Sequence, residues 1–485
     1  MEIMLIRPND QKKVYGETRD FVACESPYWA MLLASFLRSK GVEPAIVDAE
    51  AEDMSPSEVA ESVCTAKPLL VGIMVTGTNL SASTWKMAGA RQTAKYIKDS
   101  GYSGKIFFWG LHPSALPEQT LLEEPTDFVI KGEGFQTVLS LVEILKGNVA
   151  ANYSEVKGLY YKEQGSAKGN SQIEMADFEK LPMQAFDLVD MHRYHAHNWH
   201  TFGDDRTKGY AVIATALGCP FQCSFCAVSA LFGKKMVRYR SPEKVVEEID
   251  VLVKKYGVHY IKILDECFVL NRKHVEAICD LLIKRDYDLN IWAYARVDTV
   301  DENLLDKLRR AGFRWLALGI ESASKDVRKE VSKGQYTADD TKRIVEMIHA
   351  AGIHVVANFM FGLPEDNLES MQDTLNFARA LNCEWPNFYT TMAYPGSQLY
   401  RECLANKVPL PETWLGYSQY SYECLPLPTK YLSGREVLAF RDNAFQAYFE
   451  NNARYYAMME EKFGQRAVQD IKKMLKKHLQ RKILE

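Results

Sequence analysis

Between residues 211 and 405, short apolar, β-branched runs give way six times to stretches of helical period, and this alternation limits the fold more than any other feature. The strand candidates are 211–216, 260–264, 291–295, 315–319, 355–361 and 388–392, with helices at 242–256, 272–284, 302–311, 338–351, 368–381 and 398–405. Near-continuous apolar strands separated by helices make a parallel sheet with helices packed on it. Eight such units close a barrel, so six predict a partial (β/α)6 barrel with its site at the C-terminal strand ends. The helix boundaries agree: Ser241 before Pro242 reads as a cap, Asn271, Asp301 and Thr337 stand at later starts, and Gly257, Gly312 and Gly352 at ends.

Residues 1–146 show the same α/β logic, with strands at 3–7, 44–48, 69–76, 105–109 and 128–130, and predict a doubly wound, Rossmann-like domain. Ligands of such sheets bind outside the carboxyl ends of the strands. The loops there are Thr76-Gly77-Thr78-Asn79, Gly110-Leu111-His112-Pro113-Ser114 and Gly132-Glu133-Gly134. Small residues let a backbone approach a bulky ligand, and ordinary turn chemistry is the alternative. Residues 147–210 read as a linker with a hairpin near 158–161. It holds His192, His195, His197 and His200, without a Cys or carboxylate to complete a metal spacing, so a substrate lid or a solvated loop is expected. The barrel takes 211–400 and a helical extension 401–485. In its last helix Ile471, Met474, Leu475 and Leu479 form an apolar face among lysines, which suits packing on the barrel or peripheral contact with an anionic membrane.

Composition excludes several classes. A net charge of −4 gives no drive toward nucleic acid, and no apolar run nears the ~20 residues that cross a bilayer. The N-terminus reaches Pro8 before a signal-peptide core forms, and the ten cysteines are scattered apart from one group, so a reducing cytoplasm is expected.

That group is Gly218-Cys219-Pro220-Phe221-Gln222-Cys223-Ser224-Phe225-Cys226, directly after the first barrel strand. Three thiols so close suit zinc, as in a non-catalytic scaffold, or an iron–sulfur cluster. Structural zinc wants four closed ligands, and no fourth stands at a standard spacing. A 4Fe-4S cluster held by three thiolates keeps one iron open. CxxxCxxC with an aromatic residue before the last cysteine resembles the signature of radical S-adenosylmethionine (SAM) enzymes. Ile263 to Phe268, Ala295 to Asp298, Gly319 to Ser322, Phe361 to Glu365 and Tyr394 to Ser397 match that family's core in order.

The resemblance implies that Cys219, Cys223 and Cys226 hold the cluster and that SAM chelates its open iron. Phe225 would lie on the adenine, Asp265 or Glu266 would receive the methionyl amine, Arg296 the carboxylate and Glu321 the ribose. The N-terminal domain resembles that of the cobalamin-binding subgroup. Thr76, Thr78, Gly110, His112, Gly132 and Glu133 are the candidate corrinoid contacts, although His112 lacks the DxHxxG setting of an axial ligand. The implied activity is a cobalamin-dependent methyltransferase acting on an unactivated carbon, or else an oxidative cyclase or rearrangement enzyme without methyl transfer. The implied partners are a small-molecule or lipid-like substrate and a low-potential donor such as flavodoxin or ferredoxin.

Overall fold

The computed structural model describes residues 1–485 except Thr78, Glu174, Lys234 and Gln335. The first sheet contains β1 (Ile3–Arg7), β2 (Pro44–Asp48), β3 (Leu70–Val75), β4 (Lys105–Gly110), β5 (Phe128–Ile130), β6 (Leu159–Glu163) and β7 (Ser166–Gly169) in the order β2-β1-β3-β4-β5-β6-β7. The first five are parallel, and the hairpin β6–β7 extends the sheet antiparallel from β5. Strands β1, β3 and β4 are almost wholly apolar because helices cover both faces. Strand order reverses between β1 and β3, which is where a doubly wound sheet opens its ligand crevice.

A hairpin, β9 (Ala216–Leu217) with β10 (Arg238–Tyr239), follows β8 (Gly209–Ile213). The second sheet joins β8 to β11 (Val258–Ile263), β12 (Asn290–Arg296), β13 (Phe313–Glu321), β14 (His354–Phe361) and β15 (Trp385–Thr390), all parallel, with β8 and β15 as open edges. The six strand–helix units form the expected partial barrel. Asn271, Asp301 and Thr337 cap their helices through side-chain oxygens. Ser241 does not: its N–H and hydroxyl both go to Glu179, a carboxylate accepting more strongly than the helix offers.

Two segments close the barrel. Trp199 and His200, in the stretch expected to be a lid or solvated loop, plug its floor. The Trp199 ring lies 5.5 Å from Trp292 and 5.2 Å from Trp315, and His200 Nε2 bonds the Asn290 carbonyl at 3.0 Å. Burial pushes His197 and His200 down to about 3, so both rings are neutral packing groups. The helices Gly434–Phe449 and Ala453–Leu475 cover the other side. Of the apolar face, Ile471 and Met474 are buried in the barrel core, Leu475 is half-buried against it and Leu479 is half-buried at the cavity. Among the described residues no helix is long and apolar enough to cross a membrane.

Candidate active site

The cysteine loop springs from Gly218, whose φ of +96° and position leave no room for a side chain: a Cβ would lie 2.2 Å from the Met236 carbonyl oxygen. The β9–β10 hairpin clasps both ends of the loop. Ser224 N–H donates to Val331 O (3.2 Å), and Leu399 N–H donates to Ser224 O (3.0 Å). Ala227 N–H donates to Ser81 Oγ at 2.8 Å, so the loop is also fastened to the segment after β3. Cys219, Cys223 and Cys226 are unpaired, half-buried and line one cavity of about 580 Å³. Burial pushes the Cys219 thiol up to about 11 and Cys226 up to about 12, so a bound cation would favour the thiolate of each.

The acidic pair at the end of β11 divides. Asp265 bonds Thr215 N–H at 2.7 Å and the Thr215 hydroxyl at 2.5 Å, and does not line the cavity. Glu266 lines it, and burial raises its carboxyl to about 7, opposed by Lys262. Arg296 forms a two-pronged pair with Asp298 (both 2.9 Å), reaches 3.6 Å from Cys223 Sγ, and stacks on Phe221 with its guanidinium 3.8 Å from the ring centre. Glu321, at a left-handed φ of +65°, accepts Lys333 Nζ at 2.7 Å. Phe225 lines the same cavity and packs beside Val331 and Leu363.

Sequence reasoning missed Lys333. Its carbonyl accepts from Arg296, its ammonium faces the cavity, and Glu321 holds its pKa up against burial. Nothing in its spacing marks it, because the loop after a short helix brings it back.

The opposite wall of the cavity comes from the first sheet's switch point: Tyr15 and Thr18 after β1, and Asn79, Ser81 and Trp85 after β3. Two family models match in that order, the B12 binding domain over residues 18–142 and the radical SAM superfamily over 213–378. An uncharacterized methyltransferase of Pyrococcus horikoshii is 30% identical over 424 residues, 86% of each chain. The chain belongs to the B12-binding radical SAM family.

The anaerobic magnesium-protoporphyrin IX monomethyl ester cyclase of Rubrivivax gelatinosus is 27% identical over 93% of this radical SAM protein and 78% of its own length. A radical SAM methyltransferase of Kitasatospora setae, solved with cobalamin and a 4Fe-4S cluster bound, shares the fold. Its TM-score is 0.70 at 19% identity, covering 94% of this chain and 90% of that one.

The N-terminal candidates in this radical SAM protein have protein partners. Gly110 (φ +140°) turns where a Cβ would meet Val75 O at 2.1 Å, and the Gly132 carbonyl accepts Trp109 Nε1 at 2.9 Å. Glu133 pairs with Arg238 and accepts Ala176 N–H, tying the first domain to the hairpin beside the cysteine loop. His112 is buried, with Nδ1 3.4 Å from Thr84 Oγ1 and its ring 4.7 Å from that of Trp414. Burial lowers it to about 3. Thr76 lines a small neighbouring cavity of about 50 Å³, and Thr78 lies outside the described residues.

Proposed function

We propose that this radical SAM enzyme is a cobalamin-dependent methyltransferase acting on an unactivated carbon of a small molecule. One observation carries the reading. The crevice at the first sheet's switch point and the cysteine loop of the barrel are two walls of one cavity, fastened by Ala227 N–H to Ser81 Oγ. A methyl carrier in the crevice and a radical generator at the loop would share a single substrate, which is catalysis by proximity.

The donor set suits the groups the family implies. Three soft thiols on one wall match a cluster with an open iron. Among the described residues no three His, Cys, Asp or Glu side chains are arranged to hold a single metal ion. Cys219, Cys223 and Cys226 would hold the 4Fe-4S cluster. Glu266 would accept the methionyl amine of SAM, Arg296 and Lys333 its carboxylate, Glu321 its ribose, and Phe225 would lie on its adenine. Asp265 would keep the base of the cysteine loop in place through Thr215. When bound, the cluster and SAM supply a carbon radical, and cobalamin a transferable methyl group. The corrinoid would sit without a ligand from His112, whose ring is committed to Thr84 and Trp414. A flavodoxin- or ferredoxin-type donor would supply the electron.

Cyclase relatives that span most of the chain favour a second reading, radical chemistry without methyl transfer. The deciding experiment is anoxic purification with a cobalamin supply, corrinoid quantitation, a 5′-deoxyadenosine assay and product mass. Bound corrinoid with a product heavier by one methylene supports the proposal. SAM cleavage without corrinoid, or product without the added mass, replaces it with the second reading.

A further inference from the structure

The far side of the barrel mouth carries polar groups that the cluster and SAM do not use. Asn358 on β14 and Asn387 on β15 are in register with each other, and Asn358 is in register with Gly319, itself the partner of Arg296. Both amides therefore stand at the level of Arg296, two and three strands away. Room beside them comes from small residues, Ala317, Gly319 and Val356, all lining the cavity. Trp199, Trp292 and Trp385 form its aromatic floor.

The hydrogen bonds of the pair can be counted. Asn358 Oδ1 accepts from Asn387 Nδ2 at 2.9 Å and from the Tyr389 hydroxyl at 3.4 Å, and Asn387 Oδ1 accepts from Trp385 Nε1 at 3.0 Å. Asn358 Nδ2 donates to Leu318 O at 3.2 Å. Each amide nitrogen carries two N–H groups, so among the described residues one on each is left over, while Asn358 Oδ1 accepts twice and Asn387 Oδ1 once. Both amides therefore have a donor to spare, and the oxygen of Asn358 is fully used.

Charge narrows the ligand further. Away from the cysteine loop, each cation lining the cavity has a carboxylate: Lys262 with Glu25 (2.9 Å), Arg441 with Asp442 (2.7 Å) and Lys477 with Glu17 (2.8 Å). A buried anion would have to displace one of these partners, whereas a neutral ligand leaves them intact.

We propose that this part of the barrel mouth is a substrate subsite for an uncharged, flat ring bearing a carbonyl or ring-nitrogen acceptor, read by the spare N–H groups of Asn358 and Asn387. The ring lies over the tryptophan floor, and its acceptor sits at the level of Arg296. The assignment of this ligand as substrate rests on the methyltransferase reading; its binding does not require turnover.

The test is equilibrium dialysis of the cluster-reconstituted full chain against 4-quinolone, naphthalene and 2-naphthoate. These probes are flat and of similar size, and are respectively a neutral acceptor, a hydrocarbon and an anion. Two hydrogen bonds at ordinary net strength predict that 4-quinolone binds at least about tenfold more tightly than either other probe. Asn387→Leu brings 4-quinolone to within about twofold of naphthalene. Asn387→Asp keeps the shape but presents an acceptor, and loses the preference as well. Retained cluster absorbance establishes that each variant is folded. Equal binding of the three probes, binding of none, or a preference that survives both substitutions overturns the proposal. Selective binding by a protein that yields no 5′-deoxyadenosine would instead sink the catalytic reading and leave the subsite standing.

Discussion

Replacing Asp265 and Glu266 one at a time separates two jobs that adjacent carboxylates perform. Asp265 accepts two buried donors from Thr215, at 2.7 and 2.5 Å, just before the cysteine loop begins. Asp265→Ala leaves the Thr215 N–H unpaired and the hydroxyl with only His274 Nε2, 3.1 Å away. At ~1–3 kcal/mol for a buried unsatisfied donor, the expected loss is roughly 1–3 kcal/mol, concentrated at the base of the loop. The variant should therefore unfold at a lower temperature and take up less iron and sulfide on reconstitution. Glu266 lines the cavity with a carboxyl raised to about 7 by burial, so Glu266→Gln removes a charge whose burial costs stability. The fold should be no weaker, but SAM loses a charge-assisted hydrogen bond of ~1.5–3 kcal/mol, a roughly 10- to 100-fold rise in Kd. Equilibrium dialysis with labelled SAM, alongside iron analysis and thermal unfolding, reads both. If Asp265→Ala keeps its cluster and stability, or Glu266→Gln binds SAM within twofold of the parent, the division of labour is refuted.

Three further outcomes follow. Asp10 is buried without a side-chain hydrogen bond, and burial raises it to about 7. A raised carboxyl favours the fold while protonated, and that stability is lost as pH climbs from the ordinary carboxylate range through 7. Asp10→Asn should therefore stabilise the protein increasingly from pH 5 to pH 8, by up to ~4 kcal/mol, as read by denaturant unfolding at each pH. Gly218→Ala puts a Cβ against the Met236 carbonyl, so the purified variant should lack the cluster's visible absorption while its circular dichroism stays that of the parent. His112→Phe keeps an aromatic ring against Trp414 and should leave the absorption spectrum of bound cobalamin unchanged; a shift would show that the imidazole ligates cobalt.

Much of the scaffold was legible because its signals are local. The strands Ile3–Arg7, Pro44–Asp48 and Phe128–Ile130 and the helices Pro242–Tyr256, Leu368–Leu381 and Gln398–Ala405 lie where apolar period and capping residues place them. The cysteine spacing and the blocks at strand ends brought the barrel candidates to one mouth for the same reason: a parallel barrel delivers its C-terminal strand ends to one face. What the sequence hid depends on long-range packing. Trp199 and His200 plug the barrel although their surroundings carry turn formers, because a half-closed barrel needs a floor from elsewhere in the chain. Glu133 looked like a loop residue near a ligand, but its partner Arg238 lies more than a hundred residues on. Lys333 was invisible because only the fold returns its loop to Glu321.

The most direct test of the central claim is a Mössbauer spectrum of anoxically reconstituted, isotopically iron-enriched protein, recorded with and without SAM. The account predicts a cubane 4Fe-4S signature in which one iron site alone shifts when SAM is added. A mononuclear spectrum, or a cubane whose iron sites all ignore SAM, would contradict it.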